Sequence, residues 1–194
     1  MITGAMVLAL FLAAALAAYR FSTRLSERSA SDVPLFLQKL EIEALNGAFH
    51  PEAEEHFRSQ LSPQEFRKVQ WKRIHLAVHY CNMLANNAWV FLGWTKYERG
   101  QNWEMLEPEL QETILSLREA CTQCRLSSLV IRLRLRWWLV RMALLPFSQP
   151  PTFNALLSLG SADMISFYES ARALAEAFSE AYGEDYHQRL VEAL

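Results

Sequence analysis

Glycine is scarce in this chain, at six of 194 residues, and no segment alternates Val, Ile or Thr with polar residues as a half-buried strand requires. A strand-built fold is therefore excluded and an all-α fold is expected. Also missing are a nucleophile elbow, a phosphate-cradling Gly-rich loop, a zinc-protease helix motif and a dinucleotide-binding turn. Carboxylate pairs such as Glu54 and Glu55 sit in no pocket-like context. The expectation is a non-catalytic chain without a cofactor. Neither charge sign is in excess: the formal net charge is −2, so the field of the whole molecule gives no reason to expect nucleic acid as a partner. Cysteine is limited to Cys81, Cys121 and Cys124, an odd and sparse set that makes no disulfide scaffold and suits a reducing cytoplasm.

Side-chain charge is absent altogether from residues 1–19, and Arg20, Arg24 and Arg28 follow directly. A run of that length just spans a bilayer core. Ile2, Val7, Leu8, Leu10, Phe11, Leu12 and Leu16 together favour insertion by about 2–4 kcal/mol. The rival reading is a cleaved signal peptide, because Ala15-Leu16-Ala17 resembles a small-residue cleavage site; but the basic residues come after the apolar run, not before it. We expect an anchor over residues 1–21, a basic and polar joint over 22–33, and a helical bundle over 34–194. The positive-inside rule places the N-terminus outside and the bundle in the cytoplasm. Within the anchor, Ala5, Ala9, Ala13 and Ala17 fall four apart. Such a smooth face allows close contact with another membrane helix, from a partner subunit or a second copy.

Within the bundle, Asp32 or Ser31 is placed to cap a helix from about Pro34 to Asn46, stopped by Gly47, and a short acidic helix follows near Pro51 to Gln60. Ser62-Pro63-Gln64-Glu65 is a capping box with proline at the first helical position. It opens a helix over 63–99; a second runs over 108–145 and stops at Pro146. The short link between them predicts an antiparallel hairpin. Its seam is legible in Ile74, Ala77, Cys81, Leu84, Ala88 and Phe91, and in the run from Leu110 through Ile114, Leu117, Cys121, Cys124, Ser128, Ile131, Leu135, Trp138 and Met142 to Leu145, at alternating steps of three and four. A C-terminal helix over 162–182 carries Met164, Tyr168, Ala171, Ala175, Phe178 and Tyr182 on one face. Residues 184–194 are expected as a short helix or a frayed tail.

Three features of the bundle are candidates for function. First, a fold-back centred near residue 103 sets Arg67, Lys68, Lys72 and Arg73 level with Arg132, Arg134, Arg136 and Arg141. With Arg20, Arg24 and Arg28, the set Arg67, Lys68, Lys72, Arg73, Arg132 and Arg136 would suit an anionic lipid surface or an acidic partner; the alternative is pairing with Glu41, Glu43, Glu54 and Glu55. Second, the same pairing brings Cys81 level with Cys121 and Cys124, a set able to bind zinc or another soft metal if a fourth ligand arrives. The simpler account is that small residues let the helix backbones approach. Third, His75, His79, Asn82 and Asn86 form an uncharged polar face, covered by a partner, a lipid or the short N-terminal helices; His75 and His79, four apart, are also half of a metal or haem site. Reading 74–95 and 126–147 as further spans would bury four arginines at about 2.5–3.5 kcal/mol each. The sequence thus points to a membrane-anchored accessory subunit, with a metal- or haem-binding helical protein and an anionic-lipid-binding domain as alternatives.

Overall fold

The computed structural model describes residues 28–43, 51–101, 103–145, 149–154 and 161–194. The expected anchor, residues 1–21, lies outside them, as do residues 22–27 of the joint. Among the described residues every regular element is helical, and no helix is long and apolar enough to cross a membrane. A 3-10 turn, Ala30–Asp32, leads into α1 (Val33–Phe36); α2 is Pro51–Gln60, α3 Pro63–Gln101, α4 Pro108–Leu144, α5 Ser161–Glu180 and α6 Glu184–Ala193.

α3 starts where the capping box lies. The Ser62 hydroxyl donates to Glu65 Oε2 at 2.6 Å, the Ser62 backbone N–H donates to the same oxygen at 3.1 Å, and the Glu65 N–H returns to Ser62 Oγ at 3.4 Å. These bonds to the ionised form hold the Glu65 carboxyl below its ordinary value. From there α3 runs 39 residues, about 58 Å, to a 3-10 turn at Trp103–Met105 that reverses the chain into α4. The fold-back is centred slightly later than residue 103. Arg132 Nε donates to Ser128 O one turn back along its own helix, while its Nη1 donates to Asn82 Oδ1 at 2.9 Å. Asn82 therefore lies near the level of Ser128, which puts the centre close to Met105.

The hairpin is completed into a three-helix bundle by α5. Ile74, Ala77, Cys81, Leu84, Ala88 and Phe91 of α3 are all fully buried, and so are Ile114, Leu117, Cys121, Cys124, Ile131 and Leu135 of α4. α4 packs closely on both neighbours, whereas α3 and α5 meet mainly through side chains. The sizes of the residues explain the difference. Ala120, Cys121, Cys124 and Ser128 on α4, and Ala171 and Ala175 on α5, are small and buried, so those backbones approach closely. Between α3 and α5, by contrast, Trp94 stacks on Phe178 with ring centroids 4.6 Å apart, and Cys81 faces Met164 at 4.0 Å.

The expected helix from Pro34 to Asn46 breaks after Phe36, since Leu37 is extended, with ψ 147. The cause is Asn87 of α3, a fully buried amide. It accepts from the Gln38 N–H at 2.9 Å, donates to Gln38 O at 2.8 Å, and donates to the Tyr168 hydroxyl of α5 at 2.9 Å. One side chain thus satisfies an extended backbone residue on both sides, which local helix propensity cannot match. Asn86 adds a bond to Phe36 O at 3.2 Å, so its end of the uncharged polar face is covered by the chain's own N-terminal segment. Farther upstream the Arg28 N–H donates to Gly93 O, a close approach to the helix at a residue with no side chain.

The far end of the bundle is closed by polar bonds. Arg67 Nη2 donates to Met142 O and Leu145 O, the orphan carbonyls at the end of α4. Gln70 donates to Pro151 O at 2.8 Å, and buried Glu54 accepts from the Phe153 N–H at 2.7 Å. At the other end Gly183, with φ +94, turns the chain into α6, whose Tyr186 and Leu190 are buried. The tail is thus a docked helix.

Replacing Asn87 by Ala should strand the Gln38 backbone and the Tyr168 hydroxyl and cost about 3 kcal/mol of stability. Asn86→Ala, at a more exposed bond, should cost about 0.5 kcal/mol or less. Urea unfolding midpoints compare the two directly; equal losses would show that the buried amide does not organise the N-terminal segment.

Candidate functional site

α4 carries two stripes. The first faces α3 and α5 and holds the core. The second lies on the opposite side of the helix, where Leu126, Val130, Leu133, Trp137, Val140 and Leu144 follow each other at steps of four, three, four, three and four, the spacing that keeps residues on one face. All six are exposed: Leu126 is 60% accessible, Leu133 58%, Trp137 59% and Leu144 72%. Leu129 widens the stripe and Leu115 extends it toward the hairpin turn. Scattered exposed leucines are ordinary, but a continuous stripe of this kind amounts to roughly several hundred Å², the scale at which patches mark interaction sites.

Arginines edge the stripe on both sides. At 100° per residue, Arg125, Arg132 and Arg136 fall along one margin and Arg134 and Arg141 along the other. The side chains of Arg134, Arg136 and Arg141 are exposed, whereas Arg125 and Arg132 are half-buried. The Arg125 guanidinium lies over the Trp89 ring, 4.3 Å from its centroid, and burial followed by the charge of Arg132 lowers it to about 10, still protonated at neutral pH. Between Glu119 and Asp163 the sequence contains these five basic residues and no Asp or Glu. The face is thus apolar along its middle and cationic at its edges.

The basic residues grouped by the sequence separate into those engaged in the fold and those left outward. Arg67 holds the end of α4, as described. Arg73 lies over the Phe153 ring, 4.7 Å from its centroid; burial lowers its pKa, opposed by the charge of Glu54. The Arg28 guanidinium lies 3.7 Å over Phe36. Lys68, Lys72 and Arg136 are exposed. Ala5, Ala9, Ala13, Ala17, Arg20 and Arg24 lie outside the described residues.

Cys81, Cys121 and Cys124 all lie in the seam, but the expected common level does not hold: with the fold-back centred near Met105, Cys81 falls level with Leu129, about 7 Å along the rod from Cys124 and about 12 Å from Cys121. Each is a fully buried free thiol. Burial pushes Cys124 up to about 11 and Cys81 to about 12, and Cys121 well above its ordinary range. Protonated thiols in a water-free seam are poor metal ligands and poor nucleophiles. His75 and His79 are exposed, and their rings lie beside Trp71 and Tyr80 respectively. Among the described residues no three His, Cys, Asp or Glu side chains group as a metal site.

A serine–histidine contact that sequence reasoning passed over lies at the α5–α6 corner, where Ser179 Oγ and His187 Nδ1 are 2.7 Å apart. Ser179 is fully buried and donates to Glu176 O at 2.6 Å. With no path for a substrate to its hydroxyl, the pair fastens the corner and does not act as a nucleophile and base. The outer stripe of α4 was also passed over, although its spacing is as regular as that of the inner one. The arginines interleaved with the outer stripe give that stretch the local composition of a solvated face.

The raised thiol values have a pH consequence. Below the ordinary value of 9.0 both folded and unfolded thiols are protonated, and the contribution of their burial to stability is complete. As pH rises past 9.0 toward about 11 for Cys124 and about 12 for Cys81, the unfolded thiols ionise first, and each lowers stability by about 1.4 kcal/mol per pH unit. Urea midpoints between pH 8.5 and about 11 should fall less steeply in Cys124→Ala than in the parent. An unchanged slope would mean that this thiol is not held protonated by burial.

No known protein family, curated protein or solved structure matches this chain.

Proposed function

We propose that this chain is a membrane-anchored, non-catalytic helical interaction subunit, an accessory component of a membrane complex with its bundle on the cytoplasmic side. The observation that carries the membrane-facing part of this reading is the outer face of α4: an exposed apolar stripe edged by arginines on a helix whose opposite side already holds the core. A fold that needs only one side of α4 for stability leaves the other for a contact. Attachment comes from the uncharged run at residues 1–19, with Arg20, Arg24 and Arg28 behind it giving the orientation. Ala5, Ala9, Ala13 and Ala17 supply a face on which a neighbouring membrane helix can pack closely.

The test uses the full-length chain in its native membranes. It should resist an alkaline carbonate wash and leave mild detergent as part of a stable complex. Ala9→Leu/Ala13→Leu, which roughens the small-residue face, should lower recovery of the complex about tenfold, the equivalent of 1–2 kcal/mol of lost helix packing. Release of the chain by carbonate, or a monomer in mild detergent indifferent to these substitutions, would overturn the reading.

A further inference from the structure

We infer that the outer face of α4 is a lipid-contact surface, which lays the bundle against an anionic leaflet with the stripe from Leu126 to Leu144 immersed at the level of the headgroups. The inference rests on the membrane-anchored reading and deepens it by naming what the face touches.

Three observations choose this occupant over others. The stripe is long, about 27 Å from Leu126 to Leu144 at 1.5 Å per residue, and lies within one uninterrupted helix, so its residues share one side of the rod along that whole length. Its composition is that of an interfacial helix face: leucines and valines with a central exposed tryptophan, whose amphipathic ring favours the headgroup level. Its charge is of one sign, with Arg134 and Arg141 along one edge and Arg136 along the other, all exposed, and no acidic residue between Glu119 and Asp163 to answer them. A second copy of the same face would bring arginines against arginines in either direction. The uncharged run at residues 1–19 would match the apolar middle and leave the cationic edges unanswered. Anionic headgroups answer both parts at once: acyl chains beneath the stripe, phosphates beside the guanidinium groups.

The arrangement also fits a helix that is not apolar enough to cross a membrane. The arginines recur every few residues along both margins, too closely for a span, yet the exposed Arg134, Arg136 and Arg141 can reach headgroups from a helix lying in the plane of the interface.

The test places a nitroxide at Leu133→Cys in the full-length chain. Cys81, Cys121 and Cys124 are fully buried in the native fold, so the label reports position 133. The protein is reconstituted into vesicles of phosphatidylcholine alone, or with roughly 30% phosphatidylserine, and flotation is read alongside collision of the label with oxygen and with a water-soluble nickel complex. The expected result is flotation with both lipids, but an oxygen-accessible, nickel-protected label only with phosphatidylserine, reversed by high salt. Arg134→Gln/Arg136→Gln/Arg141→Gln should lower the ratio of immersed to free label roughly fivefold for each charge removed.

Flotation with a nickel-accessible label in both lipids would overturn the inference and leave the anchor standing. Flotation only with phosphatidylserine, with the label immersed, would support it while removing the anchor. Protection that is equal in the two lipids, or spin–spin broadening that grows with protein density, would overturn it in favour of cover by the chain's own N-terminal segment or a second copy.

Discussion

The close approach of α4 to two helices at once is the constraint on which the rest of the structure depends. Ala120, Cys121, Cys124 and Ser128 keep its inner side low enough for α3 and α5 to settle against it, and Ala77, Cys81, Ala171 and Ala175 answer from the partners. Burial alone does not demand such residues, since larger apolar side chains bury more area. What they permit is a short distance between backbones, and the bulky contacts, Trp94 with Phe178 among them, are displaced to the seam between α3 and α5. The thiols are then protonated because they are packed, and they are packed because they are small.

Around this core the irregular segments are held by individual polar side chains. Asn87 fixes the extended turn after α1, Gln70 and Glu54 hold the segment that follows α4, and Arg67 closes the last turn of α4 itself. Each is a long-range bond from a helix to a stretch of backbone with no regular partner, and the buried ones are costly to leave unmade. The irregular segments are therefore placed by hydrogen-bond geometry, and the packed helices by shape.

The helical character, the antiparallel pair and the inner stripes could be read from the sequence because helix caps and the 3.6-residue period are local signals. Ser62-Pro63-Gln64-Glu65 needs four residues to be recognised, and the run from Ile114 to Met142 needs only its own spacing. The break after Phe36 was not legible, because it depends on Asn87, about fifty positions away in the chain. The engagement of Arg67 and Arg73 with the end of α4 and with Phe153 was hidden for the same reason: a basic residue looks alike in sequence whether it faces solvent or caps a distant carbonyl. The outer stripe of α4 is the opposite case. Its pattern is local and complete, but a pattern that marks a surface for contact is indistinguishable from one that marks a core until the core has been located elsewhere.

The bond from the Arg28 N–H to Gly93 O fixes the point at which the N-terminal segment joins the bundle. That point is toward the hairpin turn, whereas Leu133 sits near the level of Ala77, about 24 Å farther along the rod. On the proposed reading the molecule then has two attachments to one membrane, separated along its axis like a hinge and a latch. The first makes the second intramolecular, so the arginine-edged face works at a high effective concentration of lipid and needs little affinity of its own. A change in leaflet charge would swing the rod between standing and lying without releasing it, and whatever lies on its remaining faces would be presented at a different height above the bilayer.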